Sequence, residues 1–317
     1  MTPEIFAEWL RRQDHRVVQT TSSYWVEAGS HIFQAFPYHW VIQPSEPEIK
    51  EFMARESAIG LRYSAPLNAE QGMLSYHAVL GGNSYNLETL SPNARSKVRR
   101  GQKRSRLETI TLDQLSQDGW ELQQDTMERQ GRLKSMNQDE WQRICLAAKG
   151  LLGFEAWGAF VNTELAATIL TAQVDQVCYM LYPQSHRKYF GEYVNNALSF
   201  EVTHEMLTRR GVKEVFYGLH SLDAPPSVDE FKFRMGYTAR PVRQRVVFNP
   251  WVRPMFNYAS HALLRVGLRL RPGNPTLSKA EGMLRFYLQG RLPLSRQSLP
   301  QPLQAQGEYA DTLKGTA

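Results

Sequence analysis

The sequence predicts an α+β fold, and two patterns carry that prediction. In the second half, Ala156 to Val161, Leu165 to Val174 and Val177 to Tyr182 are short runs rich in β-branched and aromatic residues. Only Asn162-Thr163-Glu164 and Asp175-Gln176 separate them, and connections that short join antiparallel neighbours, so the three runs read as a meander. The second pattern follows directly. Tyr193 to Arg210 is helical and stops at Gly211, with Arg209 and Arg210 well placed in the last turn. A strand from Glu214 to Leu219, a short helix in DEFKFRMGY (229 to 237) and a strand from Pro241 to Phe248 complete the order.

The first half interleaves the same two element types. Pro3 to Arg12 is amphipathic through Ile5, Phe6, Trp9 and Leu10. Arg16 to Glu27 and His31 to Phe36 read as strands around Ala28-Gly29, Glu46 to Ser57 as a helix, and Ile59 to Ala65 and Leu74 to Leu80 as strands. Ser91-Pro92 opens a helix, with a hydroxyl at the cap and proline in the first turn. Asn137 to Lys149 is a further helix, with Gly150 just beyond its end.

After Pro250 the character changes. WVRPMFNYASHALLRVGLRLRP carries many apolar residues, four arginines and no acid. It is expected as a helix packed on the body of the protein, the alternative being a basic amphipathic helix on an acidic membrane surface. From about Leu292 the chain is Gln, Pro, Ser and Gly with few anchors, the composition of a disordered tail. No internal repeat is visible in the sequence.

Composition narrows the function classes. The 317 residues are 42% hydrophobic, with 14 Phe, 14 Tyr and 7 Trp, enough for a substantial core. The net charge of +6 favours anionic partners such as phosphate-bearing cofactors, nucleic acid or an acidic membrane face. Cys145 and Cys178 are the only cysteines, which argues against a disulfide scaffold and fits a reducing compartment. The N-terminus does not read as a secretory signal, and no window approaches the roughly 18 apolar residues of a spanning helix. A cytoplasmic location is expected. No metal-ligand spacing, nucleophile elbow, P-loop or dinucleotide fingerprint is present.

Three groups of residues could carry chemistry. SPNARSKVRRGQKRSR (91 to 106) has Lys or Arg at seven of its last twelve positions. On a helix Ala94, Val98, Gly101 and Ser105 form a narrow seam of small residues, leaving Lys97, Arg99, Arg100, Lys103 and Arg104 to attract phosphates. A merely solvated charged helix is the alternative. Tyr217, His220 and Asp223 cluster on the 214–219 strand and the loop after it, where His220 suits a general base and also suits a structural hydrogen-bonder. Asn195 and Asn196, in the first turn of the long helix, could bind carbonyls or simply cap and solvate.

The element order from about Phe154 to Asn249 resembles the acetyltransferase fold called GNAT. FKFRMGY supplies the GNAT pattern of an aromatic pair, three residues and Gly-Phe, with Lys232 in place of the second aromatic. The resemblance implies a mixed, largely antiparallel sheet flanked by helices, and two GNAT-like halves. These are expected at 1–110 (degenerate, carrying the basic helix) and 111–250, followed by a helical extension at 251–291 and the tail at 292–317. GNAT enzymes hold a cofactor pyrophosphate at the turn before the long helix. QSHRKYFGEYVNN stands there, departing in spacing but offering Arg187, Lys188, Gly191, Tyr193, Asn195 and Asn196.

A lysine at position 232 resembles the Fem-type aminoacyltransferases, and the basic helix resembles, more loosely, GNAT-like proteins linked to polysaccharide export. The implied function is transfer of an acyl or aminoacyl group to an amine or hydroxyl on a cell-envelope or saccharide precursor. Acyl-CoA or aminoacyl-tRNA would be the donor, with no metal. In that scheme Lys232 stabilises leaving-group charge, and His220 or Asp223 takes the acceptor proton. Partners would be the phosphate-bearing donor, tRNA among the candidates, the precursor, and peripheral contact with the inner face of the membrane. A surface lysine is the equal alternative for Lys232, and a non-catalytic GNAT-like protein binding nucleic acid or another polyanion is the alternative for the chain.

Overall fold

The computed structural model describes residues 1–29, 31–131, 136–222, 226–271 and 273–305. Its strands are β1 (Val17–Gln19), β2 (Tyr24–Glu27), β3 (Ile32–Phe36), β4 (Gly60–Ala65), β5 (Met73–Gly81), β6 (Arg106–Ile110), β7 (Phe154–Val161), β8 (Glu164–Val174), β9 (Val177–Ser185), β10 (Glu214–Leu219) and β11 (Thr238–Phe248). Its helices are α1 (Pro3–Arg11), α2 (Glu46–Arg55), α3 (Pro92–Arg104), α4 (Leu112–Arg129), α5 (Gln138–Ala147), α6 (Val194–His204), α7 (Pro226–Arg234), α8 (Tyr258–Leu270), α9 (Pro275–Gly290) and α10 (Gln301–Ala305). The chain forms two compact units. Unit 1 comprises the described residues of Met1–Gln13, Ala78–Gly218 and Ala224–Thr238; unit 2 comprises those of Asp14–His77, Leu219–Asp223 and Ala239–Ala317.

In unit 1 the meander forms as expected and gains a strand. β6, β7, β8 and β9 pair antiparallel in that order. Both hairpin turns put a residue in the left-handed region, Asn162 (φ 56°) and Asp175 (φ 55°), the two residue types besides glycine that tolerate it best. α6 then crosses over and returns the chain as β10, parallel to β9. This parallel ladder has three rungs, Glu214↔Val177 to Phe216↔Tyr179. β9 runs on to Ser185 and β10 to Leu219 beyond it, so the two strands part company after Tyr179 and Phe216. β9 also carries an irregularity, since Leu170 pairs with Leu181 but Thr168 with Gln184, and Tyr182 between them has φ 46°.

Alternation along β9 separates the two faces of this sheet. Cys178 and Met180 join the core that includes Val194, Leu198 and Val202 of α6. Tyr179 turns to α1, its ring 5.5 Å from that of Phe6. Trp9 of α1 donates its indole N–H to the Ile144 carbonyl of α5. α4 has no counterpart in the sequence-based assignment. Its buried positions include Ser116, Gly119, Gln123, Asp125 and Thr126, so the apolar period that marks a helix is diluted by polar residues that bond inward. Gln184 donates to Gln123 and accepts from Thr168 in this layer.

Unit 2 repeats the same path. β1, β2 and β3 form an antiparallel meander, α2 crosses over, and β4 returns parallel to β3 with three rungs, Ile32↔Gly60 to Gln34↔Arg62. Each strand then continues unpaired with the other, to Phe36 and Ala65. β11 closes the far side of β4 antiparallel. Trp25, Phe33, Phe52 and Tyr63 form an aromatic core under α2, with Phe33 and Phe52 edge to face at 5.1 Å. A second cluster joins Val246 and Phe248 of β11 to Met283, Leu284, Phe286 and Tyr287 of α9.

Three expectations change. Cuts at 110 and 250 do not separate the units, because α3 and β6 pack on α6 and β7 of unit 1 while β11 pairs with β4 of unit 2. Nor is the segment 292–305 an unanchored tail: Gln297 accepts from the Leu74 amide and donates to the Gly72 carbonyl, and Leu303 is fully buried. The expected strand 16–27 breaks at Thr20–Ser23, where the Thr20 amide donates to the Ser23 carbonyl and a hairpin results. Residues 306–317 lie outside the described residues.

A buried polar network stiffens unit 2. Gln244 donates to Ser64, accepts from Arg62, and Ser64 Oγ lies 2.8 Å from His77 Nε2. Burial above all, then the Arg240, His39 and Arg62 charges, push His77 down to about 3. A histidine held neutral in the fold binds its proton more readily when unfolded. Its contribution is therefore complete above its unfolded value near 6.5 and is lost progressively as pH falls toward 3. His77→Asn should thus lose less stability than the parent between pH 7 and pH 5, read as the shift in urea midpoint at each pH. Equal shifts in the two proteins would show that His77 carries no such linkage.

Candidate functional site

The site in unit 1 begins at the turn between β9 and α6. His186 caps a 3-10 turn over Arg187–Glu192, and Tyr193 follows in the left-handed region (φ 55°, ψ 30°). That conformation costs a non-glycine residue on the order of 1–2 kcal/mol, so its surroundings must hold it. It redirects the chain into α6, which starts with no side-chain cap on its amides.

α3 supplies the surroundings. Its small seam is buried at Ala94, Val98 and Gly101, as the spacing predicted, and the seam rests on the first turn of α6. A methyl group on Gly101 would stand 2.6 Å from the Tyr193 carbonyl oxygen and 2.7 Å from the Ala197 Cβ, closer than real atoms come. The lack of a side chain at Gly101 is therefore what lets the two helices approach. Lys97 Nζ and Arg100 Cζ lie 6.0 and 5.9 Å from the centroid of the Tyr193 ring, cations facing an aromatic at the entrance to α6.

The cations fall into two sets. Arg95 and Arg99 both reach Glu88, and Arg104 pairs with Glu192 at 2.9 Å. The acid at 192, which stands beside the candidate phosphate turn, is thereby compensated. Lys97, Arg100 and Lys103 form no ion pair among the described residues, and Arg100 and Lys103 line an open depression of about 390 Å³ along α3. On the opposite flank of the turn the cations are committed. Arg187 bonds Asp125 and Glu128, Arg129 also bonds Asp125, and Lys188 lies 2.6 Å from Glu164. Burial raises the Asp125 carboxyl, but hydrogen bonds from Arg129 and Arg187 outweigh it and hold the group below the usual carboxylate range.

The remaining sequence candidates fall in different surroundings. Gly191 is exposed, and its carbonyl accepts a long bond from Arg104. Asn195 donates to Ser185 at 2.7 Å, and Asn196 donates to the Met235 sulfur. Lys232, on α7, is only 6% exposed, which sets aside the surface-lysine description. Its ammonium bonds Asp229 at 2.6 Å and sits 5.4 Å from the centroid of Tyr217, the first residue of β10 past the ladder with β9. Burial pushes the Tyr217 phenol well up, against a hydrogen bond with Ser199 of α6. Tyr217 thus connects Lys232 to the helix whose N-terminus the cations surround.

His220 belongs to unit 2. Its amide donates to the Tyr76 carbonyl, its ring stacks on Tyr76 at 4.6 Å, and its Nδ1 lies 3.2 Å from Ser75 Oγ. There it joins Arg62, Phe33 and Met283 in lining a largely apolar cavity of about 700 Å³. Asp223 lies outside the described residues. Both cysteines are buried, and burial pushes both thiols far up, so neither is a nucleophile in the folded chain. No group of metal-binding side chains occurs among the described residues. Sequence reasoning missed Asp229, Glu88 and the Tyr193 contact. An i, i+3 spacing from Asp229 to Lys232 was the available signal for the first.

No protein-family model matches the chain, and no curated protein does. Solved structures do. FemX shares 12% identity at a TM-score of 0.57, covering 79% of this chain and 93% of that one. The C-terminal domain of a putative lysylphosphatidylglycerol synthetase from Agrobacterium fabrum shares 10% at 0.53, covering 83% and 91%. L-PGS from Bacillus licheniformis shares 9% at 0.52, covering 78% and 91%. The chain therefore has the α+β fold of these structures, a mixed sheet flanked by helices.

Gly101→Ala tests the seating of α3. Overpacking at this contact should cost about 1–3 kcal/mol, measured by denaturant unfolding. Gly131→Ala, at a left-handed turn with nothing near its Cβ, is the control for backbone strain without a clash. A neutral Gly101→Ala would mean that α3 does not press on Tyr193.

Proposed function

We propose that this protein transfers an acyl or aminoacyl group from a phosphate-bearing donor to an amine or hydroxyl on a cell-envelope or polysaccharide precursor, at the cytoplasmic face of the membrane. The observation that carries the reading is the seating of α3 on the uncapped start of α6. Helix N-terminal amides attract anions, and here Lys97 and Arg100 stand over the residue that begins the helix. A coenzyme A pyrophosphate or a tRNA backbone suits that arrangement. The name of one structural neighbour, a lysylphosphatidylglycerol synthetase, supports an aminoacyl group and an envelope acceptor.

Chemistry follows by positioning and charge stabilisation. The acceptor nitrogen or oxygen attacks the donor carbonyl, and the bond from that carbon to the donor sulfur or ribose oxygen breaks. Lys232 offers an N–H to the departing atom. Because Asp229 already compensates most of its charge, its contribution is a directed donor in a dry setting more than a bare positive field. The acceptor's proton passes to solvent. No covalent enzyme intermediate is formed.

The same free cations would also hold nucleic acid without any transfer, and one pair of variants separates the two readings. Coenzyme A, acetyl-coenzyme A and charged tRNA are titrated at low salt into the parent, Arg100→Glu/Lys103→Glu and Lys232→Ala. One donor should bind in the micromolar range, at least about tenfold more weakly to the double variant. Lys232→Ala should keep that binding and lose transfer by about a hundredfold or more. Absence of binding to every donor at millimolar concentration would end the transferase reading. Function in cells lost only with the charge reversal would assign α3 to a polyanion-binding scaffold.

A further inference from the structure

Unit 2 presents a surface that the transfer reaction does not use. α8 follows a short turn at Arg253–Met255 and is capped by Asn257, whose side chain accepts from the amides of Ala259 and Ser260. One side of α8, at Ser260, His261, Leu264, Gly267 and Leu268, is half-buried. That side meets α9, where His261 Nε2 lies 2.8 Å from Glu281 and Gly267 sits close to Leu277. The other side is left open by the described residues. Ala259, Ala262, Leu263, Val266 and Leu270 are all exposed, Leu263 at 72% and Leu270 at 78%.

At 3.6 residues per turn these five positions fall within about a third of the helix circumference, a continuous apolar stripe. Arg265 and Arg269, one turn apart and both exposed, border it on the side of Tyr258. Just before the helix Trp251 is 91% exposed, and Met255 is exposed as well. Six of the ten exposed large apolar side chains among the described residues therefore lie in 251–270, so this is a patch and not the usual scatter. Arg253 and Arg271 stand at either end of it, and no acid occurs from Trp251 to Arg271.

We infer that this surface docks the protein on an anionic lipid bilayer. α8 would lie in the plane of the headgroups, its apolar stripe turned toward the acyl chains. Trp251 and Tyr258 would sit at the interface, and the four arginines would meet acidic headgroups. The helix is about 20 Å long, shorter than the roughly 30 Å of a hydrocarbon core, and no helix among the described residues is long and apolar enough to cross a membrane. A single sign of charge favours lipid over a second copy of the chain, since a two-fold contact through this face would set arginine against arginine. The inference does not depend on the transfer reaction.

Cosedimentation with vesicles tests it, using phosphatidylglycerol mixed into phosphatidylcholine and phosphatidylcholine alone. The parent should bind the anionic vesicles at least about tenfold more tightly than the neutral ones, and less tightly as salt rises. Leu263→Glu/Val266→Glu and Arg265→Glu/Arg269→Glu change exposed side chains only, so both should fold, as circular dichroism will check. Each should weaken binding about tenfold or more. No binding to anionic vesicles at millimolar lipid overturns the inference, as does equal binding to both vesicle types. Self-association that Leu263→Glu/Val266→Glu abolishes, without lipid binding, would assign the patch to a second copy.

Discussion

A helix bearing six cations can lie against a protein only along a line where none of them must leave water or lose a partner. Charges stripped of solvent and left unpaired cost several kcal/mol each, far more than a short helix gains by packing. α3 meets this constraint through Ala94, Val98 and Gly101, the buried stripe, while none of the six cations is itself buried and Arg95, half-buried, keeps Glu88 as a partner. Close approach at Gly101 then supports the left-handed Tyr193, and Tyr193 sets the direction of α6. The geometry of the anion-attracting helix start thus follows from the absence of one side chain on a neighbouring helix.

The cations of unit 1 are sorted by where the carboxylates are. Asp125, Glu128 and Glu164 face the turn from α4 and β8 and engage Arg187, Arg129 and Lys188. Glu88 and Glu192 hold Arg95, Arg99 and Arg104. Along α3, Lys97, Arg100 and Lys103 form no ion pair among the described residues, and Lys97 and Arg100 stand beside the Tyr193 ring. Lys232 is different in kind, buried, paired with Asp229 and laid over a phenol ring, so its proton is aimed by the fold and not by solvent.

Both units run the same course of meander, crossover helix and a parallel strand that leaves its partner after three rungs. In each, polar side chains lie near that parting. Tyr217 follows the last rung in unit 1; Gln34 and Arg62 form the last rung in unit 2 and line its apolar cavity. Separating strands expose backbone and side chains without breaking a helix or a hairpin. The repetition has no trace in the sequence, because unit 2 fills its core with Trp25, Phe33, Phe52 and Tyr63 where unit 1 uses Cys178, Met180, Leu198 and Val202. Different side chains satisfy the same backbone path.

The sequence by itself determined the local elements. The short turns at Asn162 and Asp175, the Ser91-Pro92 start, the stop at Gly211 and the seam of α3 are written in neighbouring residues, because backbone sterics and helical period act over a few positions. Where polar residues bond inward, as along α4, that local signal failed. Only the tertiary structure decided which unit each element joins, which cations keep their charge free, and that Lys232 is buried over the Tyr217 ring. It likewise decided that the apolar stripe of α8 is left exposed by the described residues. Each of these depends on residues far apart in the chain meeting or failing to meet, and pairing energy, burial and desolvation exist only once they do.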